Sequence, residues 1–172
     1  MRSLLIAVAA SAAVAGVASA SVITQWDFND AVESSGGTLT PSTGAGTASL
    51  VGANTGTFGS GTGSSDTVAS TFNDSWLTST YAAQGTGSNT RGVRFDVSTA
   101  GYNNISFCFD QRNSNTASRY WLVEYSLDGS SFSSAGLAGG GVYAVTVGGV
   151  FVNGFSFDMS TIVGAENNAS FA

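Results

Sequence analysis

Between Asn104 and Leu127 apolar residues recur at every second position, and that period decides what the chain can build there. Ile105, Phe107 and Phe109 alternate with Ser106, Cys108 and Asp110. Trp121, Val123, Tyr125 and Leu127 form a second set, with Tyr120, Glu124 and Ser126 between them. Successive side chains of a strand point to opposite faces, so each set predicts a strand with one buried face. The polar stretch Gln111 to Ser118 is rich in Asn and Ser and suits a connection. Asp128-Gly129 accepts the positive φ of a tight hairpin turn, and Phe132 begins the return. Residues 104–112 and 119–127 are therefore expected to run as long antiparallel neighbours.

The same reading extends along the chain. Strands are expected at 22–28, 91–98, 142–147 and 150–157, the last two bounded by glycines. Residues 34–67 are mostly Gly, Ser and Thr; Leu50-Val51 and Phe58 are spaced for two weak strands at a sheet edge. Trp76, Leu77 and Tyr81 form an aromatic island in polar surroundings, and Pro41 lies in an early loop. Asp158 to Gly164 suits a short helical turn capped by Asp158 or Ser160. No stretch has the period of a long amphipathic helix. Short strands joined by Gly-rich turns predict an all-β fold, an antiparallel β-sandwich or jelly roll forming one domain over residues 21–172. Asn167 to Ala172 reads as the start of a further strand, so the domain is expected to be cut short there.

Residues 1–20 stand apart. Arg2 is followed by an Ala-rich apolar run from Leu4 to Val17 and by Ala18-Ser19-Ala20, the layout of a secretory signal peptide with its cleavage site. No Cys follows the cleavage site, which excludes a lipoprotein anchor, and no membrane span is expected after cleavage. What remains carries Arg91, Arg94, Arg112 and Arg119 but no Lys and no His, against eleven acidic residues. An acidic chain without a basic stripe excludes a nucleic-acid partner and charge-driven binding to an anionic membrane. Cys108 is the single cysteine, so no intramolecular disulfide forms. It reads as a semi-apolar strand residue, since no His or Lys is present to lower its pKa.

The same absences bound catalysis. Without His there is no Ser-His-Asp triad, and without Lys no Schiff base. Asp96, Asp110 and Glu124 lie on expected strands beside Arg94 and Arg112, and read as solvated cross-strand ion pairs worth under about 1 kcal/mol each rather than as a hydrolytic carboxylate pair. No catalytic residue and no cofactor is expected. Asp27-Phe28-Asn29-Asp30 offers hard oxygen ligands for Ca²⁺, but an Asx turn explains the same residues. Gly59 to Gly63 lacks the strand and helix of a dinucleotide loop. Three Asn-x-Ser patterns, at Asn73, Asn104 and Asn168, are short enough to arise by chance in so polar a chain. Trp76 and Tyr81, with Tyr102 and Tyr120, fall outside the expected core faces. Trp76 and Tyr81 are candidate platforms for a sugar face, or else plugs for one end of the sandwich. Arg112 and Arg119 flank the 113–118 connection, and at least one is expected to fold back onto loop carbonyls or Asp110.

Three stretches taken together resemble a known family. They are Val22-Ile23-Thr24-Gln25-Trp26-Asp27-Phe28-Asn29 after the signal peptide, Tyr81-Ala82-Ala83-Gln84-Gly85-Thr86-Gly87 running on to Gly92-Val93-Arg94-Phe95, and Asp110 to Tyr120 leading into Tyr125-Ser126-Leu127-Asp128-Gly129. The set is similar to the secreted ectodomain of PEP-CTERM proteins, the exosortase substrates of Gram-negative and related bacteria. The resemblance implies export to the cell envelope or an exopolysaccharide matrix, a non-catalytic surface role, and envelope or matrix glycans as partners. A carbohydrate-binding module is the competing expectation. The family's Pro-Glu-Pro sorting tail is not within these residues.

Overall fold

The computed structural model describes residues 20–30, 36–66, 72–83 and 85–172. Apart from Ala20, the signal segment lies outside them. The described chain is all-β. Its strands are β1 (Thr47–Val51), β2 (Thr55–Ser60), β3 (Asp74–Ser79), β4 (Gly92–Asp96), β5 (Ser106–Arg112), β6 (Tyr120–Leu122), β7 (Tyr125–Ser126), β8 (Phe132–Ser133), β9 (Val142–Ala144) and β10 (Phe151–Asp158). Every ladder between them is antiparallel and two-stranded.

The pairing is nested twice. In the first nest β1 pairs β4 around an inner β2–β3 pair. In the second, β5 pairs β10, inside it β6 pairs β9, and innermost β7 pairs β8. This corrects one expectation: the run at 104–112 is β5, the run at 119–127 is divided between β6 and β7, and β5 pairs with neither. Phe109 faces Phe155 and Phe107 faces Phe157 across β5–β10, while Trp121 faces Tyr143 across β6–β9. The apolar return strands are thus supplied by the Gly-bounded runs near the end of the chain. Asp128-Gly129 does turn the β7–β8 hairpin, with Gly129 at φ 71°, but through the longer loop 127–131. Asp128 Oδ1 accepts from Ser130 N, Ser131 N and Ser126 Oγ, which organises that loop.

The expected first strand at 22–28 is reduced to a single bridge, Gln25 to Thr43. Phe28 takes φ 61°, which ends extended backbone. Trp26 and Phe28 are held by their rings instead, Trp26 against Phe95 and Phe28 against Trp76. Residues 47–51 and 55–60 are strands as expected, and Trp76 and Leu77 of the aromatic island lie on β3, with Tyr81 just beyond its end. Asp158 caps the closing turns, its Oδ1 accepting from Ser160 N, and bonds from Ile162 N to Met159 O and Ala165 N to Ile162 O continue them. These turns bury Met159, Ile162 and Ala165.

Among the described residues, the buried hydrophobic ones all belong to the second nest and its closing segment: Ile105, Val123, Tyr125, Leu137, Val145, Phe157, Met159, Ile162, Ala165 and Phe171. Two positions of the 121–127 alternation depart from it, for Leu127, expected on the buried face, is exposed and its neighbour is not. Ser126, expected outward, is fully buried, because the end of the chain pairs across it: Ser126 N donates to Ala172 O and Ala172 N returns to Ser126 O. On β4, Val93 is exposed as well. Asn167 to Ala172 is accordingly seated in the fold, with Val97 N bonded to Phe171 O and Thr99 N to Asn168 O.

Candidate functional site

Trp76 and Tyr81 occupy two separate aromatic contacts. Trp76 lies across Gly56, where a Cβ would come within 2.7 Å of the indole nitrogen, and meets Phe28 and Phe95 at centroid distances of 5.9 and 6.2 Å. Tyr81 stands edge-on to Trp121 at 5.3 Å, and its hydroxyl shares a 2.7 Å hydrogen bond with Thr78 Oγ1. Beside it, burial first and then the Tyr81 hydroxyl hold the Tyr143 phenol well above the usual tyrosine range. Tyr143 donates to Gln111 Oε1 at 2.6 Å. Both candidate residues are half-buried. Tyr102 and Tyr120 are exposed, with Arg119 over the Tyr120 ring.

The carboxylates are not the cross-strand ion pairs the alternation suggested. Asp96 pairs with Arg94 of its own strand, two residues away and therefore on the same face. Arg94 also donates to Gly129 O at 2.7 Å and lies over the Phe132 ring, tying β4 to the β7–β8 hairpin. Asp110 meets no arginine. It faces a β-bulge, where Asn153 and Gly154 of β10 oppose the single residue Asp110 of β5. Its Oδ1 accepts from Gly154 N at 2.8 Å, and its Oδ2 from Ser65 N and Ser65 Oγ at 2.5 and 2.8 Å. Burial alone would raise its pKa, but the Ser65 and Gly154 donors outweigh it and hold Asp110 below the usual carboxylate range. Glu124 is exposed. One signal for this hub stood in the sequence: a lone Gly inside a strand pattern marks a bulge, and Gly154, at φ 76°, is that residue.

At Asp27 the Asx turn forms, Asn29 N donating to Asp27 Oδ1 at 3.1 Å. Among the described residues no three of His, Cys, Asp and Glu come together as a metal site. Cys108 is exposed, 3.4 Å from Ser156 Oγ.

Two of the grooves among the described residues bear on these side chains. The larger, about 360 Å³, lies where β4, the β7–β8 hairpin and the chain end meet, and its acids Asp96 and Asp128 are spent on Arg94 and the hairpin amides. The smaller, about 270 Å³, is lined by Leu77, Arg112, Ser114, Asn115, Gly148 and Gly149. Its walls are brought together by a bridge from Asn113 to Val147 and a 2.9 Å bond from Gly149 N to Asn113 O. The 113–118 connection is ordered by Asn113, not by its arginines. Asn113 is buried, and its Nδ2 donates to Ser118 O at 2.8 Å. Among the described residues the guanidinium of neither Arg112 nor Arg119 donates a hydrogen bond or meets a carboxylate; each lies over an aromatic ring instead, Phe151 and Tyr120 respectively. A buried amide has to be hydrogen-bonded, and this one meets that need on the loop's own carbonyl, without a guanidinium.

Compared with protein-family models, with curated proteins and with solved structures, the chain matches none. Among the described residues no helix is long and apolar enough to cross a membrane.

Proposed function

We propose that this chain is a non-catalytic exported protein of the cell surface or extracellular matrix, of the PEP-CTERM type, built as an antiparallel β-sandwich. Its signal segment and its likeness to that family support export. The observation that carries the non-catalytic reading is where the candidate acids went. Asp96 is bound by Arg94, and Asp110 by Ser65 and Gly154, which supports a scaffold role for both and leaves exposed Glu124 as the one acid of the three outside such a tie. The nested ladders support the sandwich, since a folded-over hairpin of this kind is how a jelly roll pairs its strands. Expression in a Gram-negative host followed by fractionation tests the export reading. The expected product begins at Ser21 and is found in the envelope or the medium. Cytoplasmic protein that still begins at Met1 contradicts it.

Glycan recognition is the second reading, and one observation favours it: the smaller groove holds an arginine with unspent donors beside hydroxyl and amide side chains. In its aromatic form this reading uses Trp76 and Tyr81 as the sugar platform. Glycan binding abolished by Trp76→Ala, with the fold intact, would support that form, and unchanged binding would contradict it.

A further inference from the structure

We infer that the groove between the 113–118 connection and the Gly148-Gly149 turn binds the carboxylate of an acidic sugar, with Arg112 as its principal donor. The inference rests on the exported-protein reading above and deepens it by naming the ligand chemistry.

Arg112 is aimed by its strand. It faces Phe151 across the β5–β10 ladder, and its guanidinium lies 5.6 Å above that ring. That contact sets the head group beside the ring, and among the described residues no hydrogen bond or carboxylate engages its fork, which leaves the donors for a planar carboxylate through two parallel N–H bonds. The nearby acid that might have consumed the charge does not. Asp110 shares the face of Arg112 two residues back, yet both its oxygens are committed to Ser65 and Gly154. The rest of the groove suits a saccharide better than a peptide side chain. Ser114 and Asn115 supply a hydroxyl and an amide on one wall, Leu77 an apolar surface for a C–H face, and Gly148 leaves its wall open, with nothing near where a Cβ would stand. At about 270 Å³ the groove falls just below the roughly 300–1,000 Å³ of pockets that enclose drug-sized ligands, so it takes about one ring and stays open to a chain.

The test is titration of the secreted protein with an oligogalacturonate, its methyl ester, a neutral oligogalactoside and an oligoglutamate. Hydrogen bonds to charged groups are worth about 1.5–3 kcal/mol, so Arg112→Ala should weaken oligogalacturonate binding roughly 10- to 100-fold. Arg112→Lys keeps the charge but not the fork and should also weaken it severalfold. Asn115→Ala should weaken it to a smaller degree, and Arg119→Ala should leave it unchanged. Esterification should abolish binding. Equal binding of the methyl ester, of oligoglutamate or of Arg112→Ala would overturn the inference, as would no binding by a folded wild-type protein. That last result, in a protein found outside the cell, defeats this inference alone; cytoplasmic retention defeats the reading beneath it.

Discussion

The two nests differ in what holds them. The second nest, β5 to β10 with its closing turns, contains every buried apolar side chain among the described residues, from Ile105 to Phe171. In the first, β1 to β4, the aromatic rings are only half-buried, and Leu50, Val51, Leu77 and Val93 are exposed. One nest therefore has a core, and the other leans on it. The contact is a run of rings: Phe28 on Trp76, Trp76 on Phe95, Phe95 on Phe107, and Phe107 on Phe109, beside which lie Phe155 and Phe157. Polar ties reinforce it, from Ser65 to Asp110 and from Arg94 to Gly129. The difference teaches that nested ladders supply shape to both halves, while burial, and with it most of the stability, is concentrated in one.

The largest effect should come from the core. Phe157→Ala removes a buried ring stacked near Phe109 and should cost about 3–5 kcal/mol, read as a lowered midpoint in urea. Phe95→Ala strikes the joint instead. It deletes contacts with Trp26, Trp76 and Phe107 and should cost about 2 kcal/mol, the sum of a half-buried ring and its aromatic pairs. Because the joint also couples the nests, Phe95→Ala should separate one unfolding transition into two. A loss as large as that of Phe157→Ala would mean the first nest has a core of its own.

Asp110→Asn should cost about 1 kcal/mol, discounted because the side chain is partly solvated. Its pH dependence is diagnostic. The folded-state pKa is depressed below the unfolded value, so the contribution is fully present above about pH 4 and fades as pH falls through the folded pKa. The variant should therefore lose more stability at neutral pH than in strong acid, measured by urea titration at both. The smallest effect belongs to the open surface. Val163, 93% exposed, should tolerate Ser within about 0.5 kcal/mol by thermal melting.

Much of this was legible in the sequence, and the rest failed for definable reasons. Period two correctly marked β5, the inward Ile105, Val123 and Tyr125, and the all-β class, because alternation reports burial of a face. It is silent on partners. Any two alternating runs satisfy it, so β5 and β6 looked like neighbours when each pairs with a later strand. Ser126 was misplaced because its cover comes from Ala172, far along the chain. At Phe28 a left-handed backbone broke a pattern that looked extended. The groove at Arg112 was hidden for a similar reason. Gly148 and Gly149 read only as punctuation until the bond from Gly149 N to Asn113 O placed them opposite Ser114 and Asn115.

Residue-resolved amide hydrogen exchange tests the central claim most directly, because it reports the free energy of opening at each ladder. The account predicts that amides of β5 and β10, such as Phe107, Phe109 and Phe157, exchange only through global unfolding. Those of β2 and β3, such as Trp76 and Thr78, should exchange through a cheaper opening that Phe95→Ala makes cheaper still. Equal protection across both nests, unmoved by Phe95→Ala, would contradict it.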